Sequence, residues 1–132
     1  MAKPIILCVD DEKTVLNSLR QELEFALGAS YSFELAESAE EGLEVIEELL
    51  AEGREIRVVI SDQTMPGMTG ESFLSQVHKK LPRVGKILLT GDSSKEGVNG
   101  GVYAGSKFPC LVKPWDNVRL RELVVSMATA GA

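Results

Sequence analysis

Pro4-Ile5-Ile6-Leu7-Cys8-Val9-Asp10-Asp11-Glu12 opens the chain with five consecutive apolar residues that run straight into three acids. An apolar run of strand length, without polar alternation, fits a strand covered on both faces. It is far too short to be a signal peptide core or a membrane span. The stretch therefore reads as a buried parallel strand whose carboxyl end carries acid. A helix pattern follows, with Leu16, Leu19, Leu23 and Ala26 on one face and Gly28 as its stop.

The same alternation continues downstream. Tyr31 to Ala36 reads as a second strand, and a helix with Ala39, Leu43, Ile46 and Leu50 on its stripe ends near Gly53. Val58-Val59-Ile60 is a third strand, and the next helix carries Phe73, Leu74, Val77 and Leu81 and is closed by Pro82. Ile87-Leu88-Leu89 and Phe108 to Val112 are strands four and five. A last helix over about Asn117 to Met127 has Leu120, Leu123, Val124 and Met127 inward. Between strands four and five, residues 97–105 hold four glycines, so a short or frayed helix is expected there. Five βα units imply a single α/β domain with a doubly wound parallel sheet and right-handed crossovers. It spans residues 1–132, with Ala128 to Ala132 as a tail or cut linker.

Composition narrows the function. The chain has 132 residues, a size at which about two thirds of the unfolded surface is buried without metal or disulfide staples. Its 20 acids against 14 bases give a net charge of −6. That balance argues against a non-specific nucleic-acid or anionic-membrane binder. Cys8 and Cys110 have neither disulfide-framework nor zinc-ligand spacing, and the one histidine, His78, reads as a solvated helix residue. With one histidine, a His-based hydrolase triad has no materials. These features point to a cytoplasmic protein.

In open α/β sheets, ligands bind outside the carboxyl ends of the strands. Those ends carry Asp10-Asp11, Ser61-Asp62, Thr90-Gly91 and Lys113-Pro114. Carboxylates about 5 Å apart repel by roughly 3 kcal/mol at an effective dielectric near 20, so three of them call for counter-charge. Lys113 supplies one positive charge, and a Mg²⁺ ion with oxygen ligands would supply two more. Such a site suits phosphoryl transfer to a carboxylate, with Gly91 leaving room for the incoming group.

Four motifs carry a family resemblance: V-D-D-E at 9–12, I-S-D-Q-T-M-P-G-M-T-G at 60–70, L-L-T-G at 88–91 and L-V-K-P-W at 111–115. In order and placement they resemble the receiver domain of two-component response regulators, chemotaxis regulators included, over nearly the whole chain. The resemblance implies a flavodoxin-like sheet of order 2-1-3-4-5. It implies that Asp62 accepts the phosphoryl group and that Mg²⁺, or Mn²⁺ in its place, is held by Asp10, Asp11, Asp62 and the backbone carbonyl of Thr64. Thr90 matches the switch hydroxyl and Lys113 the lysine that pairs with the phosphoryl group, with a cis Lys113–Pro114 bond. The implied partners are a sensor histidine kinase or histidine phosphotransfer protein upstream and an effector or fused output domain downstream. A phosphorylation-dependent dimer is compatible with this, and direct nucleic-acid or membrane binding is not expected.

Cys110 departs from the family, which carries Tyr or Phe three residues before the lysine. Phe108 lies on the same strand face two residues away and is not expected to take over. The rivals are an interaction module that keeps the fold but signals without phosphate, and a phosphohydrolase, for which Asp92 could at most orient water. No enzyme activity is expected beyond the domain's own phosphoryl transfer and slow autodephosphorylation. The motifs around Asp62 and Lys113 also look like receivers fused to HD-GYP phosphodiesterases or transcriptional activators, of which this chain would be a fragment. The run Gly100 to Lys107 superficially resembles a phosphate-binding loop, but it precedes a strand instead of following one.

Overall fold

β1 (Ile5–Val9) has no solvent exposure at any residue, and this places it inside the sheet. The computed structural model describes residues 2–91 and 108–130. Its other strands are β2 (Ser32–Ala36), β3 (Ile56–Asp62), β4 (Gly85–Thr90) and β5 (Cys110–Val112). All pair in parallel in the order β2-β1-β3-β4-β5. The helices are α1 (Lys13–Leu27), α2 (Ala39–Ala51), α3 (Gly70–Lys80) and α4 (Asn117–Ala130). The doubly wound parallel sheet read from the sequence is the fold. The glycine-rich helix expected at 97–105, Asp92 and the loop-like run at 100–107 lie outside the described residues.

Strand periodicity explains the two layers. Ile5, Leu7 and Val9 face one core with Ile46, Leu49, Phe73, Leu74 and Val77. Ile6 and Cys8 face the other with Leu16, Leu19, Leu23, Leu120 and Val124. One continuous apolar strand thus supplies both cores. Burial pushes the Cys8 thiol up to about 12, so it serves as an apolar packing group.

The helix stripes differ in phase from those expected. In α1, Leu16, Leu19 and Leu23 are buried, Ala26 is exposed and Leu27 packs inward instead. The step of four from Leu23 keeps the face that a step of three loses. In α2, the buried stripe is Ala39, Gly42, Ile46 and Leu49, while Leu50 is 40% exposed. Gly42 causes that rotation. A Cβ added there would lie 2.9 Å from the Phe73 ring and 3.2 Å from Val9, so glycine lets α2 close on α3. Ser38 caps α2 by accepting from the Glu41 N–H at 3.0 Å, half of a capping box.

Boundaries also move: β2 begins at Ser32, and β3 and β4 extend beyond the apolar runs read from sequence. β5 begins at Cys110 and not at Phe108, because Pro109 has no N–H to donate to the ladder. α4 runs on to Ala130 with Ala128 fully buried, so residues 128–130 continue the helix where a tail was expected. Gly42→Ala should destabilise the fold by about 1 kcal/mol in urea unfolding, overpacking outweighing the gain in helix propensity. A double-mutant cycle with Phe73→Leu should show coupling above about 0.5 kcal/mol. Additive effects would mean that Phe73 does not set the approach of α2.

Candidate functional site

The carboxyl ends of β1, β3, β4 and β5 bring Asp10, Asp62, Thr90 and Lys113 to one rim. Asp10 follows β1 and is wholly buried, and Asp62 and Thr90, the last residues of β3 and β4, are 5% exposed. The Lys113 ammonium lies 3.0 Å from Asp10 Oδ2 and 2.8 Å from Asp62 Oδ1. The Lys113 N–H donates to the Thr90 carbonyl at 2.7 Å, tying the head of β5 to that of β4. The Lys113–Pro114 peptide is cis.

Asp10 does not act as an N-cap. That position belongs to Glu12, which makes no side-chain cap bond, while Asp10 Oδ1 accepts the Glu12 N–H at 2.9 Å. This local turn fixes one oxygen and leaves the other for Lys113. Asp11 is exposed beside it. Oxygens of Asp10, Asp11 and Asp62 lie within 4.8 Å of one another. Thr64 is exposed in the loop that leaves β3. A Cβ added at Gly91 would meet open space, so room at this rim does not depend on a glycine there.

Gln63 and Gly70 build the site without having been singled out from sequence. The Gln63 N–H donates to the Leu89 carbonyl at 2.8 Å. Its backbone carbonyl accepts the Gly70 N–H at 2.9 Å, and its side-chain oxygen accepts the Glu71 N–H at 2.9 Å. Gln63 thus satisfies two of the orphan donors of α3. A Cβ on Gly70 would come within 2.1 Å of the Asp62 carbonyl oxygen, a distance only glycine permits. The available signal was the pairing of a glutamine directly after a strand-end acid with a glycine where the helix begins.

The electrostatics follow from this crowding. Burial raises the Asp62 carboxyl above its usual range, and the charges of Asp10 and Asp11 add to that while Lys113 opposes it. Burial works against the Lys113 charge, yet its bonds to Asp62 and Asp10 outweigh that and hold it above the usual lysine range. Trp115 is half-buried and donates to Asn117 Oδ1 at 3.0 Å. It packs at the start of α4 beside an open groove of about 490 Å³ lined by Thr14, Val15, Ser18 and Lys113. His78 is exposed, as expected. Cys110 and Phe108 are both buried in the same core.

Residues 6–125 match the family model for the response regulator receiver domain. The hydrogenase transcriptional regulatory protein HoxA of Cupriavidus necator is 29% identical over 83% of this chain and 21% of its own. The sensor kinase CckA of Brucella abortus is 31% identical over 92% of this chain and 12% of its own. The chain thus spans about a fifth of the first relative's length and about an eighth of the second's. The solved receiver domain of an HD domain-containing protein from Pseudomonas fluorescens superposes with a TM-score of 0.74. It is 29% identical, with 98% of this chain and 97% of that one covered.

Lys113→Met should destabilise the fold by about 3 kcal/mol at neutral pH, since it strands the buried Asp10 and Asp62 carboxylates. The folded state holds the Asp62 proton more tightly than the unfolded chain does. Stability contributed by that proton is therefore lost as pH rises through the folded carboxyl's range. Without Lys113 that range should move upward and the loss become steeper. Carboxyl ¹³C titration by NMR reads the shift, and an unmoved Asp62 would refute the role given to the ammonium.

Proposed function

The chain belongs to the response regulator receiver domain family, and from that premise we propose that it is a phospho-accepting switch. The observation that carries the reading is the Asp62 carboxylate on the Lys113 ammonium at 2.8 Å, with two further acids beside it. The Asp62 carboxylate attacks phosphorus of a partner's phosphohistidine. The P–N bond breaks, the imidazole departs with its electron pair, and an acyl phosphate forms on Asp62. Lys113 moves from carboxylate to phosphoryl oxygen, and the Thr90 hydroxyl turns toward the same group. This biases a two-state surface.

The donor set fits Mg²⁺, or Mn²⁺ in its place: three hard carboxylates whose oxygens converge within 4.8 Å. Asp10, Asp11, Asp62 and the Thr64 carbonyl would hold it. When bound, the ion neutralises phosphoryl oxygens during transfer. Asp10 meanwhile keeps Lys113 in place, and Gln63 and Gly70 hold the Asp62 backbone against α3.

The phosphodonor in this reading is a sensor histidine kinase or histidine phosphotransfer protein, which reaches Asp62 past the groove beside Trp115. Receiver matches within a transcriptional regulator and a sensor kinase support a place in two-component signalling, as the receiver of a larger regulator or as a separate module. The module works in the cytoplasm, and among the described residues no helix is long and apolar enough to cross a membrane. It turns over no substrate beyond its own acyl phosphate, which it loses slowly.

With acetyl phosphate and Mg²⁺, the protein should gain a phosphate mass adduct that Asp62→Asn lacks and that EDTA suppresses. An adduct on the variant would overturn the assignment. Beryllium fluoride with Mg²⁺ should raise hydrogen-exchange protection at Thr90 and over residues 110–112. Among the described residues, the small buried thiol of Cys110 is what supports a phosphate-independent interaction module. Adduct formation without a change in protection would favour that module.

A further inference from the structure

A second pocket lies at the opposite pole of the sheet, where β4 and β5 begin. It measures about 280 Å³ and is lined by His78, Val84, Lys86, Phe108, Pro109 and Met127. Lys86, the second residue of β4, is only 6% exposed. Its ammonium donates to the Val84 carbonyl at 2.6 Å and to the Pro82 carbonyl at 3.4 Å. Val84 is itself a wall of the pocket, so this bond anchors the charge at the pocket's edge.

Among the described residues no carboxylate pairs with Lys86, and burial alone pulls its basicity down. Two carbonyls occupy two of three donors, and neither neutralises the charge. The surroundings add positive charge. Lys79 and Lys80 lie in the last turn of α3; Lys80 is paired with Glu47 on α2, and among the described residues Lys79 has no ion-pair partner. Glu55, at this same pole, is bonded to Arg57, whose Nη1 donates to the Ala128 carbonyl. Beside the pocket, then, the described residues leave Lys86 without a carboxylate of its own.

A lysine can lay its stem on apolar surface and bond its head to carbonyls for packing alone. That accounts for the head of Lys86. It does not account for an open pocket beside it with four apolar walls in Val84, Phe108, Pro109 and Met127. Apolar lining with a single placed charge is the usual make-up of a small-ligand site. We propose that this pocket binds a small monocarboxylate with a short aliphatic tail, its carboxylate on Lys86 and its tail against Phe108, Pro109 and Met127. One buried cation suits one negative charge, and the apolar walls favour a carbon tail over a bare inorganic anion. The site is remote from Asp62, and nothing in it rests on phosphorylation.

Titration of the ¹⁵N-labelled full chain with butyrate tests this. Saturable amide shifts are expected at Val84, Lys86, Phe108 and Met127. Butyramide, of the same shape without the charge, should bind at least about tenfold more weakly. Lys86→Met should weaken butyrate by a similar factor while circular dichroism shows an unchanged fold. If that variant does not fold, the comparison of butyrate with butyramide on the native chain still decides. Butyramide or inorganic phosphate binding as tightly as butyrate would overturn the proposal, as would shifts that rise linearly without saturating.

Discussion

The bridge from Lys113 to Asp10 and Asp62 is the constraint on which the site depends. It joins the heads of three strands through one ammonium, with Asp10 wholly buried. A buried carboxylate is tolerated only when paired and hydrogen-bonded. Asp10 meets both conditions, through Lys113 on one oxygen and the Glu12 N–H on the other. Asp62 has Lys113 on one oxygen and two acids close by. The two acids thus differ in kind: one is a fixed support, and the other stays electrostatically unsatisfied, which suits the role proposed for it.

Holding that bridge requires the strand heads to stay level, and the two cores do this from below. β1 supplies apolar side chains to both faces, so α1 and α4 clamp it from one side and α2 and α3 from the other. Two glycines set how close the second pair comes. Gly42 admits Phe73, and Gly70 admits the carbonyl of Asp62. The start of α3 is therefore packed directly against the backbone of Asp62, and Gln63 bonds the two together. Any change that lifts α3 must also move Asp62.

Much of this was legible in the sequence because it is local. Apolar runs ending in Asp10, Asp62, Thr90 and Lys113 identified strands and rim together, since strand ends and ligand sites coincide in parallel sheets. Helix phase was less legible. Ala26 against Leu27, and Leu50 against Leu49, are decided by which neighbour each helix meets, and a stripe one residue off scores almost as well. Close approach was not legible at all. Gly70 reads as a turn residue until the carbonyl of Asp62, eight positions earlier, is seen 2.1 Å from where its Cβ would be. Lys113 was expected to offset the strand-end acids because these ends share one rim, but its direct bond to Asp10, 103 positions away, was not part of that reading.

The acid surplus separates into two kinds of charge. Residues 37–55 carry eight glutamates and one arginine, a local charge of −7, and the glutamates within α2 are exposed. Water screens these, and they govern solubility more than chemistry. At the rim, three acids and Lys113 leave a formal balance of −2 in a largely buried place. A dication would cancel that balance, and phosphorylation, which trades the single Asp62 carboxylate charge for a phosphoryl group of roughly −1.5 to −2, would leave about −0.5 to −1. Under the proposed chemistry, the negative charge once on the Asp62 carboxylate, now larger, sits on a new group beyond its oxygens. The ammonium that now bridges two carboxylates is then drawn outward to meet it. The Lys113 N–H is bonded to the Thr90 carbonyl, so the residue that would answer the new charge is also the one that ties the carboxyl end of β5 to that of β4.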